Sequence, residues 1–171
     1  MTQEQFSTLV KGMKAVYSDP KFIADKYAAD IWFQMLNDLP YEVASTAVQR
    51  HILTSTFPPT VADIRNGAVM LTTPQGMNAE EAWACAKKAI RNGIYHAEEE
   101  FEQLPEAVQK AIGSPNSLRE LAMMDSDELN TVEKSHFIRT YNTELGRMKE
   151  NAMLTDKVKA LINTTLERLP E

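Results

Sequence analysis

Histidine and cysteine, the side chains most often used for acid–base, nucleophilic and metal chemistry near neutral pH, are sparse in this sequence. Its three histidines, His51, His96 and His136, fall in different segments. His96 stands at i+3 and i+4 spacing from Glu99 and Glu100, which on a helix puts an imidazole and two carboxylates on one face. That spacing is also ordinary on a solvated charged helix, and this is the favoured reading. The single cysteine, Cys85, lies a turn from Ala82 and Ala89 beside Trp83. Such a setting suits an inert, partly buried thiol better than a nucleophile. No Gly-rich phosphate loop, nucleophile elbow or metal motif of recognised spacing occurs. The residues therefore assign no catalytic, cofactor-binding or metal-binding role, and no enzymatic activity is expected.

Two charged groups remain. Glu98, Glu99 and Glu100, with Glu102, form the densest acidic feature. It reads either as plain solvation or as a contact for a basic surface on a DNA-binding protein, with carboxylates in phosphate positions. Lys87, Lys88 and Arg91 form the comparable basic group. They are expected in the last two turns of their helix, where cations favour the macrodipole, and are not read as a DNA patch.

The elements that must position these groups are helices. Six glycines and little strict alternation of apolar and polar residues point to an all-α chain. Thr2 with Gln5 is a capping-box pattern opening a first helix with Phe6, Leu9, Val10, Met13 and Val16 on one stripe. A second helix is expected over about 23–37, striped by Ile23, Tyr27, Ile31 and Met35 and widened by Trp32 and Leu36. Pro40 starts a third through Val43, Ala47, Val48 and Ile52, and Thr60 with Asp63 caps a fourth through Ile64 and Ala68.

A polar, Pro- and Gly-containing stretch at 71–78 reads as a linker between a helical domain at 1–70 and a helical C-terminal domain at 79–171. In the second part, Asn78 with Glu81 caps a helix carrying Ala82, Trp83, Ala86 and Ile90, which Gly93 is expected to end. Short helices follow over about 96–102, 105–112 (ended by Gly113) and 117–124. One long or two consecutive helices run from about Thr131, with Thr155 as a cap and a late stripe through Val158, Leu161, Ile162, Leu166 and Leu169.

The 171 residues carry 18 basic and 24 acidic side chains, a net charge of −6, which argues against broad electrostatic binding of nucleic acid. The deficit is uneven: residues 1–70 hold 6 basic and 7 acidic residues, and residues 71–171 hold 12 and 17. A lone cysteine excludes a disulfide scaffold and suits a reducing cytosol. The opening Met1-Thr2-Gln3-Glu4-Gln5 has neither a basic nor an apolar region of a secretory signal, and no apolar run is long enough to span a membrane.

The strongest local signature is Thr56-Phe57-Pro58-Pro59-Thr60-Val61-Ala62-Asp63-Ile64-Arg65. Phe57 is expected to plug the bundle while the two prolines fix the approach to the next helix. Together with Tyr17, Ile31-Trp32, Leu36, Leu39-Pro40-Tyr41 and Ala47-Val48, this run resembles the phage replicative helicase loader/inhibitor family, over residues 2–70. A looser resemblance to longer members continues through Ala82-Trp83, Ile90 to Tyr95, Leu104-Pro105, Ala111-Ile112 and Phe137 to Tyr141.

The resemblance implies a non-enzymatic protein, without cofactor, in the cytoplasm of an infected or lysogenic bacterium. It would bind the hexameric DnaB-type helicase, restrain its ATPase and DNA-binding activities, and deliver it to the origin through an initiator protein. In short members a tail after the helical domain is implicated in helicase contact; here about 100 residues with a folded pattern follow. The expected partner surface is the C-terminal half, through Glu98, Glu99, Glu100, Glu102, Phe137, Arg139 and Tyr141, although core packing explains the last three equally well. Trp32, Phe57, Pro58, Pro59, Thr60, Ile64 and Arg65 are expected to be structural.

Two rival readings come from other classes. In the first, helices 3 and 4 mimic a helix-turn-helix on DNA. The two-proline connection is too long and stiff for that, and Arg50 and Arg65 give thin cover for phosphates. In the second, the protein sequesters a host factor. Neither duplex DNA nor a membrane is an expected partner.

Overall fold

The computed structural model describes residues 1–73 and 76–166; these form α-helices and one π-helical turn, with no strand among the described residues. The all-α expectation holds. The chain divides into two compact units, Met1–Gln75 with Asn151–Glu171, and Gly76–Glu150.

In the first unit, α1 (Gln3–Val16), α2 (Lys26–Leu36), α3 (Tyr41–Thr54) and α4 (Val61–Thr72) follow one another through short connections. Helix starts lie where local chemistry puts them. Thr2 and Gln5 form a reciprocal capping box, as do Thr60 and Asp63, so orphan N–H groups are satisfied at both ends of each box. The core collects Phe6, Leu9 and Met13 of α1, Leu36 of α2, Ala44, Ala47 and Val48 of α3, and Ile64 of α4. The larger of these side chains contribute about 1.5–3 kcal/mol each when fully buried, the alanines less. The small residues let α3 and α4 approach: a Cβ added to Gly67 would stand 3.0 Å from the Cβ of Ala47.

The second helix departs from expectation in both start and face. Ile23 is buried with φ of +49°, a left-handed conformation that a helix cannot contain and that a β-branched residue rarely adopts. Lys14 Nζ donates to its carbonyl at 2.6 Å, and the helix starts only after the Asp25 cap. The face is rotated as well. Trp32 meets Phe22 edge-on with centroids 5.5 Å apart, and Phe33 packs on Phe6 at 5.6 Å, so Ala28, Ala29, Trp32, Phe33 and Leu36 turn inward. Tyr27, Ile31 and Met35 are left exposed. Both sets satisfy helical spacing, and the aromatic partners on neighbouring segments decide between them.

In the second unit, α5 (Ala79–Glu102) is joined by α6 (Glu106–Ile112), α7 (Pro115–Met123), the single turn α8 (Ser126–Glu128), a π-turn (Leu129–Glu133) and α9 (Lys134–Met153), whose residues from Asn151 on belong to the first unit. Asn78 and Glu81 form the expected capping box. Gly93 does not end the helix. It is buried in the middle of α5, where a Cβ would meet the carbonyl of Leu118 and the Cβ of Ala122, each at 3.3 Å, so its role is close approach to α7. The helical geometry instead breaks at His96 (φ −125°, ψ 35°) and resumes. Gly113, at φ +97°, does end α6, as the absence of a Cβ allows. The core is built on Trp83, Ala86 and Ile90 of α5, Val108 and Leu118, and Phe137 and Tyr141 of α9.

After α9, Thr155 accepts from Val158 N–H at 3.3 Å and opens α10 (Asp156–Leu166). Of the stretch read as a linker, Leu71 and Thr72 complete α4, while Pro74 and Gln75 lie outside the described residues. So do Leu169 and the side chain of Leu166 from the last stripe.

Candidate functional site

The connection between α3 and α4 is held by a dense set of bonds. Tyr17 Oη donates to the Ser55 carbonyl at 3.2 Å, and Ser55 Oγ accepts from Phe57 N–H at 3.2 Å. His51 Nε2 lies 3.0 Å from the Phe57 carbonyl, which can only accept, so this nitrogen carries the proton. Pro59 is buried. Thr60 N–H and Oγ donate to one carboxylate oxygen of Asp63 at 2.8 and 2.7 Å, and Asp63 N–H returns the bond. Those bonds, the backbone one foremost, hold the Asp63 carboxyl below its usual 3.8.

This stiff loop does not insert Phe57 into the bundle as expected. The ring is 76% exposed, and Leu53, the next-to-last residue of α3, is 85% exposed. The prolines and the caps bind the loop's backbone and leave its aromatic side chain in water. An exposed aromatic on a rigid support has little ordering entropy left to lose on binding, as suits a protein-binding anchor.

Arg65 is the buried charge among the described residues of the first unit. Its Nη1 and Nη2 donate to the two oxygens of Asp38 at 2.8 and 2.9 Å, Nη1 also donates to the Met35 carbonyl at 2.7 Å, and Nε donates to the Met153 carbonyl. Burial pushes the Asp38 carboxyl up, but the bonds and charge of Arg65 outweigh it and hold the group below 3.8. This arginine is a structural clamp joining α4 to the end of α2, and is spent as a phosphate ligand. Arg50 remains exposed, so a DNA-reading α3–α4 pair would have little left to bind phosphates with. Trp32 and Ile64 are packed in or against the core, Pro58 is half-buried and Thr60 caps α4, as a structural role requires.

In the second unit the residues expected to face a partner separate into two groups. Phe137 and Tyr141 are core, not surface. Their rings stack at 5.9 Å, Phe137 packs on Trp83 at 5.2 Å, and Tyr141 Oη donates to the Met77 carbonyl at 2.7 Å. Their four-residue spacing puts them on one helical face, and that face turns inward. Arg139 is exposed, as are Glu98, Glu99 and Glu102. Glu100 is half-buried and accepts from Asn92 at 2.8 Å; His96 Nδ1 meets Glu99 at 2.7 Å. The His96–Glu99 contact involves one carboxylate, and no group of three or more potential metal ligands is found among the described residues. Cys85 is half-buried against the core.

A cavity of about 270 Å³ opens beside Trp83 and Phe137, with Ile112, Leu121 and Met124 on its walls and Glu120, Glu133 and His136 around it. Ser117 lines it too, but its Oγ is bonded to Ser114 Oγ at 2.9 Å, and among the described residues no hydrogen bond joins it to His136 or to either carboxylate. Sequence reasoning missed Asp38, Leu53 and Tyr95. Asp38 reads locally as part of a helix breaker, and its pairing with Arg65 is set by the tertiary fold. The exposure of Leu53 and Tyr95 follows from which helical face turns inward. No described helix is long and apolar enough to cross a membrane.

These features define an all-helical chain that carries exposed apolar and charged side chains among its described residues. Residues 1–65 match the family model for the N-terminal domain of a phage helicase loader and inhibitor. The match spans the α1–α3 region and the start of α4, including the Phe57–Arg65 segment on which the sequence resemblance rests. Comparison with curated proteins and with solved structures returns no match.

Proposed function

We propose that this chain is a non-enzymatic phage replication protein. It binds a hexameric DnaB-type helicase, restrains its ATP hydrolysis and DNA binding, and passes it to the origin through an initiator protein, in the cytoplasm of an infected or lysogenic bacterium. The observation that supports this reading is the family match over residues 1–65. Phe57, on its stiff loop, is the apolar anchor of the helicase contact in the first unit. Glu98, Glu99, Glu100 and Glu102 supply the charged contact in the second, facing basic groups that the helicase otherwise turns to DNA, while Arg139 faces an acidic group. Phe137 and Tyr141 act indirectly, by holding the second unit together.

The test is to mix the protein with the replicative helicases of phage and host and follow co-elution and ATP hydrolysis. Co-elution with a reduced hydrolysis rate is expected. Absence of both with every helicase tried would overturn the assignment.

A further inference from the structure

The outward face of α5 has a charge order that matches its own reverse. At 100° per residue, Lys88, Arg91, Tyr95, Glu99 and Glu102 all fall within about 40° of one line. All five are exposed, Tyr95 by 87%, and the line runs opposite the buried stripe of Ala86, Ala89, Ile90, Gly93 and Ala97. The spacing is symmetric about Tyr95: Arg91 and Glu99 stand four residues either side, Lys88 and Glu102 seven. Glu99 pairs, among the described residues, only with the His96 imidazole. Among the described residues no salt bridge engages Lys88, Arg91 or Glu102. A shallow depression lined by Ala84, Lys87, Lys88 and Arg91 lies at the basic end.

We infer that this face is a self-association surface on which a second copy of the chain docks antiparallel, about a two-fold axis through the Tyr95 pair. The two-fold sets Lys88 against the partner copy's Glu102 and Arg91 against its Glu99, and repeats both pairs in reverse, while the tyrosines meet at the centre. Such an interface is isologous and closes at two subunits. Its carboxylate at position 102 enters the depression beside Lys88.

Across the break at His96 the pattern of exposure continues, with Gly93 and Ala97 buried and Tyr95 and Glu99 exposed on either side. Asn92 bonds Glu100 across eight residues, about 12 Å along a straight helix, so α5 bends toward that flank, roughly a quarter-turn from Tyr95. A sideways bend is reproduced by the two-fold, and both arms stay alongside. Exposed ion pairs are individually weak and salt-sensitive, so the dimer is a weak one that forms at high protein concentration and low ionic strength.

Charge exchange between two variants tests this, with the full chain and sedimentation equilibrium. Lys88→Glu with Arg91→Glu makes the face wholly acidic at the paired positions; Glu99→Lys with Glu102→Lys makes it wholly basic. Each variant, folded by far-UV circular dichroism, is expected to be monomeric alone. Their equimolar mixture restores the four cross-chain pairs of the wild type and is expected to associate at least as tightly as the wild type, with the association lost at about 500 mM NaCl. A mixture that stays monomeric at low salt overturns the proposal. If either pair of changes prevents folding, the single exchange Arg91→Glu mixed with Glu99→Arg gives the same decision. No helicase takes part, so this result and the helicase assay fail independently.

Discussion

Phe57 and Arg65 sit eight residues apart in the same motif, yet one is held in water and the other out of it. Phe57→Ala removes a ring that is already 76% exposed, so the fold should lose no more than about 0.5 kcal/mol by urea titration. On the helicase-binding reading, the same change should weaken the complex by at least about 1 kcal/mol, measured by titration calorimetry or fluorescence anisotropy. Arg65→Met behaves in the opposite way. It removes a bidentate pair and two carbonyl contacts, and leaves Asp38 without its counter-charge. A loss of about 2–3 kcal/mol in unfolding free energy is expected.

At the scale of the element, helix starts marked by a capping box were legible in the sequence; the start of α2 and the helix faces were less so. Thr2/Gln5, Thr60/Asp63 and Asn78/Glu81 cap because the partners lie three residues apart, and no distant group can alter that. The inward face of α2 depends on Phe6 and Phe22, which belong to other segments, and periodicity alone could not choose between two stripes. The family motif was legible as a pattern, but not the outward position of its phenylalanine. Glycines show the same division. Gly113 was readable as a terminator, whereas Gly93 and Gly67 are sites of close helix approach.

This yields a paired prediction. Gly67→Val should cost about 1–3 kcal/mol by overpacking against Ala47. At Gly146, inside α9, an added Cβ meets nothing within 4 Å, so Gly146→Ala should stabilise by about 0.5–1 kcal/mol. Thermal denaturation of the two variants beside the wild type would check both signs.

For the molecule as a whole, shifted carboxyl and phenol groups bound the pH range of stability. Asp38 and Asp63 titrate below 3.8 when folded, so their contribution is complete above the unfolded carboxylate range and falls away as pH drops through their folded values. Tyr141 has the reverse sign. Burial, helped by the charge of Glu81, raises its phenol above 10.0; its contribution is present below the unfolded value and is lost as pH rises through the folded one. Denaturant midpoints should therefore fall at both acid and alkaline extremes. Asp38→Asn should flatten the part of the acid limb due to Asp38, while Tyr141→Phe should flatten the alkaline limb. An acid limb unchanged in Asp38→Asn would refute that part of the account.

The placement of the two tryptophans makes the units separately visible to light. Trp32 belongs to the first unit, half-buried edge-on to Phe22, and Trp83 to the second, 4% exposed against Phe137. Trp83→Phe leaves an indole emitting only from the first unit, and Trp32→Phe leaves a bluer one emitting only from the second. Unfolding curves of these two variants then resolve whether the units melt as one cooperative body or in sequence, and which of them a bound helicase protects.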